Sequence, residues 1–91
     1  MRITIIAQRS DAALSVFCAA DVLTINGEAF DFGPLPDGCE LPHGAVSSPF
    51  VVGPVRREGG VVSLALAFPY AADEEAWEPR TLDLDSGEVK P

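Results

Sequence analysis

Histidine and cysteine come close together in one stretch of the sequence. His43, the only histidine, follows Cys39 in a segment that also holds Asp37 and Glu40. A cysteine nucleophile needs a base within hydrogen-bond reach, and zinc needs three or four ligands at set spacings. The segment has neither a Cys-x-x-Cys nor a His-Glu-x-x-His pattern, so we interpret it as a surface loop with an incidental histidine. We expect no enzyme activity and no catalytic residue.

A calcium loop is the second chemistry that the residue types suggest. Asp83, Asp85 and Glu88 surround Gly87. A calcium loop has oxygen ligands at its first, third and fifth positions, glycine at the sixth and glutamate at the twelfth. Gly87 comes too early for this pattern, so we predict a β-turn at residues 85–87. We expect no metal site and no cofactor.

Carboxylates crowd the segment around the only tryptophan. Asp73, Glu74, Glu75 and Glu78 lie on either side of Trp77, and one helical turn could start at Asp73. Paired carboxylates can act as general acid and base, but such a run is more often a solvated face. Trp77 either anchors the segment to the core or belongs to a protein–protein interface, where aromatic residues are enriched. Both interpretations of Trp77 remain open.

Arg56 and Arg57 are the only adjacent basic residues, and they precede Glu58. Charged side chains on an edge strand oppose unwanted strand pairing, which is our first interpretation of the pair. A phosphate site is less favoured because Gly59 and Gly60 lead into a strand rather than into a helix. We include both arginines among the candidate interaction residues.

The strongest structural signal is Asn26-Gly27 between two apolar-patterned runs. Asn and Gly tolerate the positive φ that a type I′ turn requires at both central positions. The pattern therefore predicts a β-hairpin with arms at residues 22–25 and 28–32.

A second hairpin is predicted around Gly59-Gly60, with arms at residues 50–57 and 61–68. The second arm alternates regularly between two apolar faces. Pro54 cannot donate a hydrogen bond to a neighbouring strand, so it marks an edge strand or a bulge.

Shorter strands are predicted at residues 2–7, 14–18 and 81–84, with a turn at 8–12. Residues 33–49 contain so many Gly and Pro that we expect a long loop there. The fold class is therefore all-β or mainly β, a small sandwich or curved sheet of five to seven short antiparallel strands with at most one short helical turn.

A chain of 91 residues is expected to form a single β-rich domain, residues 1–91, in which 79–91 form a partly ordered C-terminal tail. The formal charge of −8 with only six basic residues disfavours binding to nucleic acid or to an anionic membrane. No basic region precedes a long apolar stretch, and no apolar run approaches membrane-spanning length, so we expect synthesis in the cytoplasm. Cys18 and Cys39 are expected to be reduced, with Cys18 buried.

The last predicted arm also indicates association. Val61, Ala65 and Ala67 form an apolar face opposite a second apolar face of the same strand. One domain of this size can hardly cover both faces. We therefore expect a homo-oligomer, a two-fold dimer, whose interface involves this strand or the Trp77 segment.

Three segments resemble a known family: residues 23–32, the Leu-Pro-Asp-Gly of residues 35–38, and residues 59–69. They are similar, in the same order over residues 1–80, to small uncharacterised proteins encoded in bacteriophage and prophage genomes among tail and tail-fibre genes. The resemblance implies a structural or assembly-accessory protein acting through protein–protein contacts, with phage tail proteins as partners and the virion as a second location. It implies no site residues. The alternative is a small-ligand or glycan-binding β module, because long loops on a β scaffold often carry sites.

Overall fold

The computed structural model describes residues 1–10, 13–42, 44–70 and 78–89, which form two β-sheets and contain no helix. The mainly β fold predicted from the sequence is confirmed. The described residues hold nine strands: β1 (Arg2–Arg9), β2 (Val16–Ala19), β3 (Val22–Ile25), β4 (Glu28–Asp31), β5 (Glu40–Leu41), β6 (Val55–Glu58), β7 (Val61–Tyr70), β8 (Arg80–Asp83) and β9 (Ser86–Glu88).

The five-stranded sheet has the order β5-β6-β7-β1-β8, and the four-stranded sheet has the order β4-β3-β2-β9. The long strands β1 and β7 pair in parallel, whereas every other pairing of named strands is antiparallel. The expectation of antiparallel strands alone was therefore wrong for this pair. Ile3 lies opposite Leu64 and Ile5 opposite Leu66, so the pairing places these four large apolar side chains on one face.

Both predicted hairpins are confirmed. Asn26 and Gly27 have φ values of 50° and 84°, and Gly59 and Gly60 have 58° and 81°, so both central turn residues are left-handed in each case. The Asn26 side chain also accepts a hydrogen bond from the Ser15 amide at 2.8 Å. Short-range turn chemistry therefore sets the register of β3 with β4 and of β6 with β7.

The first arm of the second hairpin is shorter than predicted. Val51 makes an isolated antiparallel bridge to Leu66, and β6 begins only at Val55. Between the Val51–Leu66 bridge and the Arg56–Ser63 pair the first arm uses more residues than β7 does. Pro54 lies in this bulge, where the lack of an amide hydrogen in proline breaks no hydrogen bond between strands.

Three local predictions were wrong. The turn at residues 85–87 is replaced by the start of β9, because Gly87 pairs with Cys18 of β2. β5 interrupts the loop at 33–49, and β1 runs through Gln8 and Arg9, where a turn was expected. In each case pairing with a strand distant in sequence overrides a weak local signal.

Residues 80–88, in the segment expected to form a tail, supply β8 to one sheet and β9 to the other. Trp77 and the helical turn expected at Asp73 lie outside the described residues, as does His43.

The core lies between the two sheets. Ile3, Ile5 and Leu66 on one side and Leu23 and Val16 on the other are almost completely buried. The alternation of the strands then sends the remaining side chains of β1 and β7 to the opposite, solvent-facing side of the five-stranded sheet.

Candidate interaction surface

The solvent-facing side of the five-stranded sheet, here called the outer face, collects side chains from five strands. Its members follow from the register, because residues paired directly across strands point to the same side. They are Glu40 of β5, Arg56 and Glu58 of β6, Val61, Ser63, Ala65 and Ala67 of β7, Arg2, Thr4 and Ile6 of β1, and Thr81 and Asp83 of β8.

The centre of the outer face is built from small side chains. Ala65 lies opposite Thr4, and both are half-buried. The hydroxyl oxygens of Thr4 and Thr81 lie 3.2 Å apart and share a hydrogen bond. Because the side chains at the centre are small, another protein can approach the sheet closely there.

Ion pairs border this centre on both sides. Arg2 Nε lies 3.0 Å from Asp83 Oδ1 on the β1–β8 side. On the β5–β6 side, Arg56 Nε lies 3.2 Å from Glu40 Oε1, and Arg56 Nη2 lies 3.6 Å from Glu58 Oε1. Exposed ion pairs contribute little to folding stability. Their arrangement matters for association, because paired charges of both signs decide which surfaces fit together.

Apolar side chains are exposed at two places on this face. Val61 is 41% exposed and Ile6 is 38% exposed, while Ser63 and Ala65 are half-buried. The prediction that β7 would be buried on both sides therefore holds at Ala67, which is on the outer face and 4% exposed, but not at Val61.

Arg57 points to the opposite side of β6, into the fold. Its guanidinium donates to the main-chain oxygens of Leu35 at 2.6 Å, Phe32 at 2.9 Å and Gly60 at 3.0 Å. It also bonds Asp21 Oδ2 at 3.1 Å, and only 12% of its side chain is exposed. Arg57 thus ties the second hairpin to the four-stranded sheet. Because β6 lies between β5 and β7, the interpretation of Arg56 and Arg57 as edge-strand charges was wrong for both residues.

The structure brings together three of the five predicted interaction residues. Val61, Ala65 and Arg56 share the outer face, Arg57 faces inward, and Trp77 lies outside the described residues. Sequence reasoning missed the contributions of β1 and β8, which supply Arg2, Thr4, Ile6, Thr81 and Asp83. The signal that could have found them is the alternation of polar with apolar residues in both strands.

The two thiols are free and differ in environment. Cys18 is buried in the core and Cys39 is exposed. Burial raises the pKa of the Cys18 thiol above its ordinary value of 9.0; the N-terminal ammonium opposes this, and Asp85 and Asp21 add to it. A buried, protonated thiol is a poor nucleophile.

Neither a metal centre nor a membrane span is found in the part of the chain that the structure describes. No group of three or more His, Cys, Asp or Glu residues is arranged to hold a metal ion there. Likewise, none of the described residues forms a helix of the length and apolarity needed to cross a membrane.

Comparison of the chain with protein-family models, with curated proteins and with solved structures found no match.

Proposed function

We propose that this protein is a non-enzymatic structural or assembly-accessory protein that acts through protein–protein contacts, and that a second copy docks on its outer face. The observation that carries the proposal is charge balance. The outer face carries two arginines and three carboxylates, whereas the whole chain has a charge of −8. The charged residues are Arg2, Arg56, Glu40, Glu58 and Asp83. A surface of this kind is the one through which two acidic chains repel each other least.

The arrangement of the charges suits a two-fold dimer. On the outer face, Arg2 and Asp83 lie towards the β8 edge of the sheet, and Arg56 and Glu40 lie towards the β5 edge. Each edge therefore carries charges of both signs. A two-fold axis brings the same patch of both copies together, and patches of mixed sign can then exchange ion-pair partners. Repulsion between the remaining charges is screened beyond about 8 Å at physiological salt.

The resemblance to small phage and prophage proteins supports the same class of function. It makes tail or tail-fibre proteins the expected partners and a virion the expected assembly. Co-purification of a tail protein with the tagged chain from phage-producing cells is the expected result. Recovery of the chain alone, without any tail protein, would contradict this part of the proposal.

Light scattering at micromolar concentration tests the dimer. We expect the wild-type chain to have twice its monomer mass and Ala65→Glu to be monomeric, because the new carboxylate lies at the centre of the outer face. Ala19→Glu is the matched control, since Ala19 is an exposed strand residue of the other sheet. A monomeric wild type, or equal masses for the two variants, would contradict the proposal.

A small-ligand or glycan-binding module is the second candidate. An open cleft of about 400 Å³ lies between the two sheets, with Met1, Asp21, Val61 and Asp85 among its lining residues. Ligand sites typically have volumes of about 300 to 1,000 Å³. A glycan or metabolite that raises the melting temperature would favour this candidate, because a ligand that binds only the folded state stabilises it.

A further inference from the structure

The edge strand β4 of the four-stranded sheet has main-chain groups available on the edge that points away from β3. Within the described residues β4 pairs only with β3. In a two-residue hairpin the pair next to the turn, Ile25 and Glu28, exchanges both hydrogen bonds, and the bonded pairs then alternate along the ladder. The bond from the Phe32 amide to the Asp21 oxygen, at 2.8 Å, continues this alternation. The amide and carbonyl groups of Ala29 and Asp31 therefore point away from β3.

An apolar groove begins where β4 ends. It has a volume of about 300 Å³ and is lined by Asp31, Phe32, Pro34, Leu35, Pro36 and Leu41. Phe32 and Leu35 are buried, and the Arg57 guanidinium donates a hydrogen bond to the main-chain oxygen of each. The groove is therefore fixed to the fold before any partner arrives, and a preformed site loses less entropy on binding.

The charges along this edge select the partner. Glu28 and Asp31, the first and last residues of β4, are both exposed and acidic. A second copy of β4 would bring the same carboxylates against them, and like charges on paired strands are destabilising. A basic strand would meet opposite charges instead.

We propose that β4 and the adjoining groove bind an extended, basic segment of a partner polypeptide by strand addition. The segment pairs with the outward main-chain groups of Ala29 and Asp31. Glu28, which lies opposite the buried Ile25, and Asp31, three residues further on, point to opposite faces of the sheet. A basic side chain on each face of the segment lies near one of these carboxylates, and one apolar side chain enters the groove. In this mode of recognition the main-chain bonds supply affinity and the side-chain pocket supplies specificity. The site goes beyond the dimer proposed above, because it lies on the other sheet and takes a different partner.

Fluorescence polarisation with a labelled synthetic peptide tests the inference. The probe carries lysine at adjacent positions, so that each face of the extended peptide presents one, and a valine for the groove. The control peptides replace lysine with glutamate or carry N-methyl groups at alternate residues, which removes strand hydrogen bonds. We expect the basic peptide to bind at least tenfold more tightly than either control, and more weakly as salt is raised. No binding of the basic peptide, or equal binding of the acidic one, would overturn the inference.

Two variants of the protein locate the binding site. Ala29→Pro removes an outward amide hydrogen that the ladder with β3 does not use, so the fold should persist while peptide affinity falls at least tenfold. Glu28→Lys should lower the affinity for the basic peptide and raise the affinity for the acidic one. Glu78→Lys makes the same change of net charge outside β4, and the protein should still prefer the basic peptide. Thermal unfolding of each variant confirms that it is folded.

The two proposals fail independently of each other. Ala65→Glu, which should separate the dimer, is expected to bind the basic peptide like the wild type. Unchanged peptide affinity in folded Ala29→Pro would overturn strand addition on β4 and leave the dimer proposal standing.

Discussion

Arg56 and Arg57 are neighbours in one strand, yet the two faces of the sheet use them differently. Arg56 lies on the outer face, more than half exposed, and pairs with Glu40 and Glu58. Arg57 lies on the inner side and directs three hydrogen bonds to main-chain oxygens and one to Asp21. Solvent competes for the partners of Arg56, whereas two of the residues whose oxygens Arg57 binds, Phe32 and Leu35, are buried. Strand alternation, rather than residue type, therefore decides which of the two arginines is available for association and which one stabilises the fold.

The largest expected effect is that of Arg57→Met. The substitution keeps most of the apolar stem but removes the donors for three carbonyl oxygens and Asp21, so we expect the free energy of unfolding to fall by about 3 kcal/mol. Urea unfolding at fixed protein concentration measures it. An Arg57→Met chain as stable as the wild type would show that the inner contacts of Arg57 do not stabilise the fold.

Asp21→Asn sharpens the comparison by removing only the charge that faces Arg57. The side chain of Asp21 is 42% exposed, so water already weakens this ion pair. We expect a loss of about 1 kcal/mol in the same urea experiment. A loss as large as that of Arg57→Met would mean that the carboxylate, not the carbonyl oxygens, dominates the contribution of Arg57.

Arg56→Met is the matched control on the outer face. Its ion pairs are exposed, so the free energy of unfolding should change by only about 0.5 kcal/mol. The average molar mass measured by light scattering should fall towards that of the monomer, because the outer face loses one of its two arginines. Strong destabilisation by Arg56→Met would remove the distinction between the two faces.

The smallest effect concerns Cys18, on the inner side of the other sheet. Its pKa is raised in the folded chain by burial, so as pH rises past the ordinary value of 9.0 the unfolded chain loses its thiol proton first. The stability linked to Cys18 is therefore complete below that pH and is lost as pH rises towards the folded pKa. Unfolding free energies measured on both sides of pH 9.0 should decline less in Cys18→Ala than in the wild type.

Features specified by adjacent residues were predictable from the sequence, and features specified by distant ones were not. Asn26-Gly27 and Gly59-Gly60 indicate their hairpins because the turn conformations depend on the turn residues themselves. The parallel pairing of β1 with β7 has no such local signal, since it depends on burial of apolar faces far apart in sequence.

The same division holds at the candidate sites. The alternation in β7 identifies Val61 and Ala65 as members of one face, and the structure places them there. The role of Arg57 could not be predicted, because its main acceptors are carbonyl oxygens that every residue carries. The edge position of β4 could not be predicted either. Its outward-pointing main-chain groups follow from the order of strands in the sheet rather than from side chains.

The parallel pairing of β1 with β7 also constrains the order of folding. Among the described strands, β1 is synthesised well before its two neighbours, β7 and β8. Closing so long a loop costs entropy before the contact is formed, whereas β2, β3 and β4 can pair as soon as they exist. We expect pulsed hydrogen exchange during refolding to protect β3 and β4 before β1; simultaneous protection would exclude this order. Until residues 61–70 leave the ribosome, Ile3 and Ile5, which are fully buried in the folded protein, have no neighbouring strand.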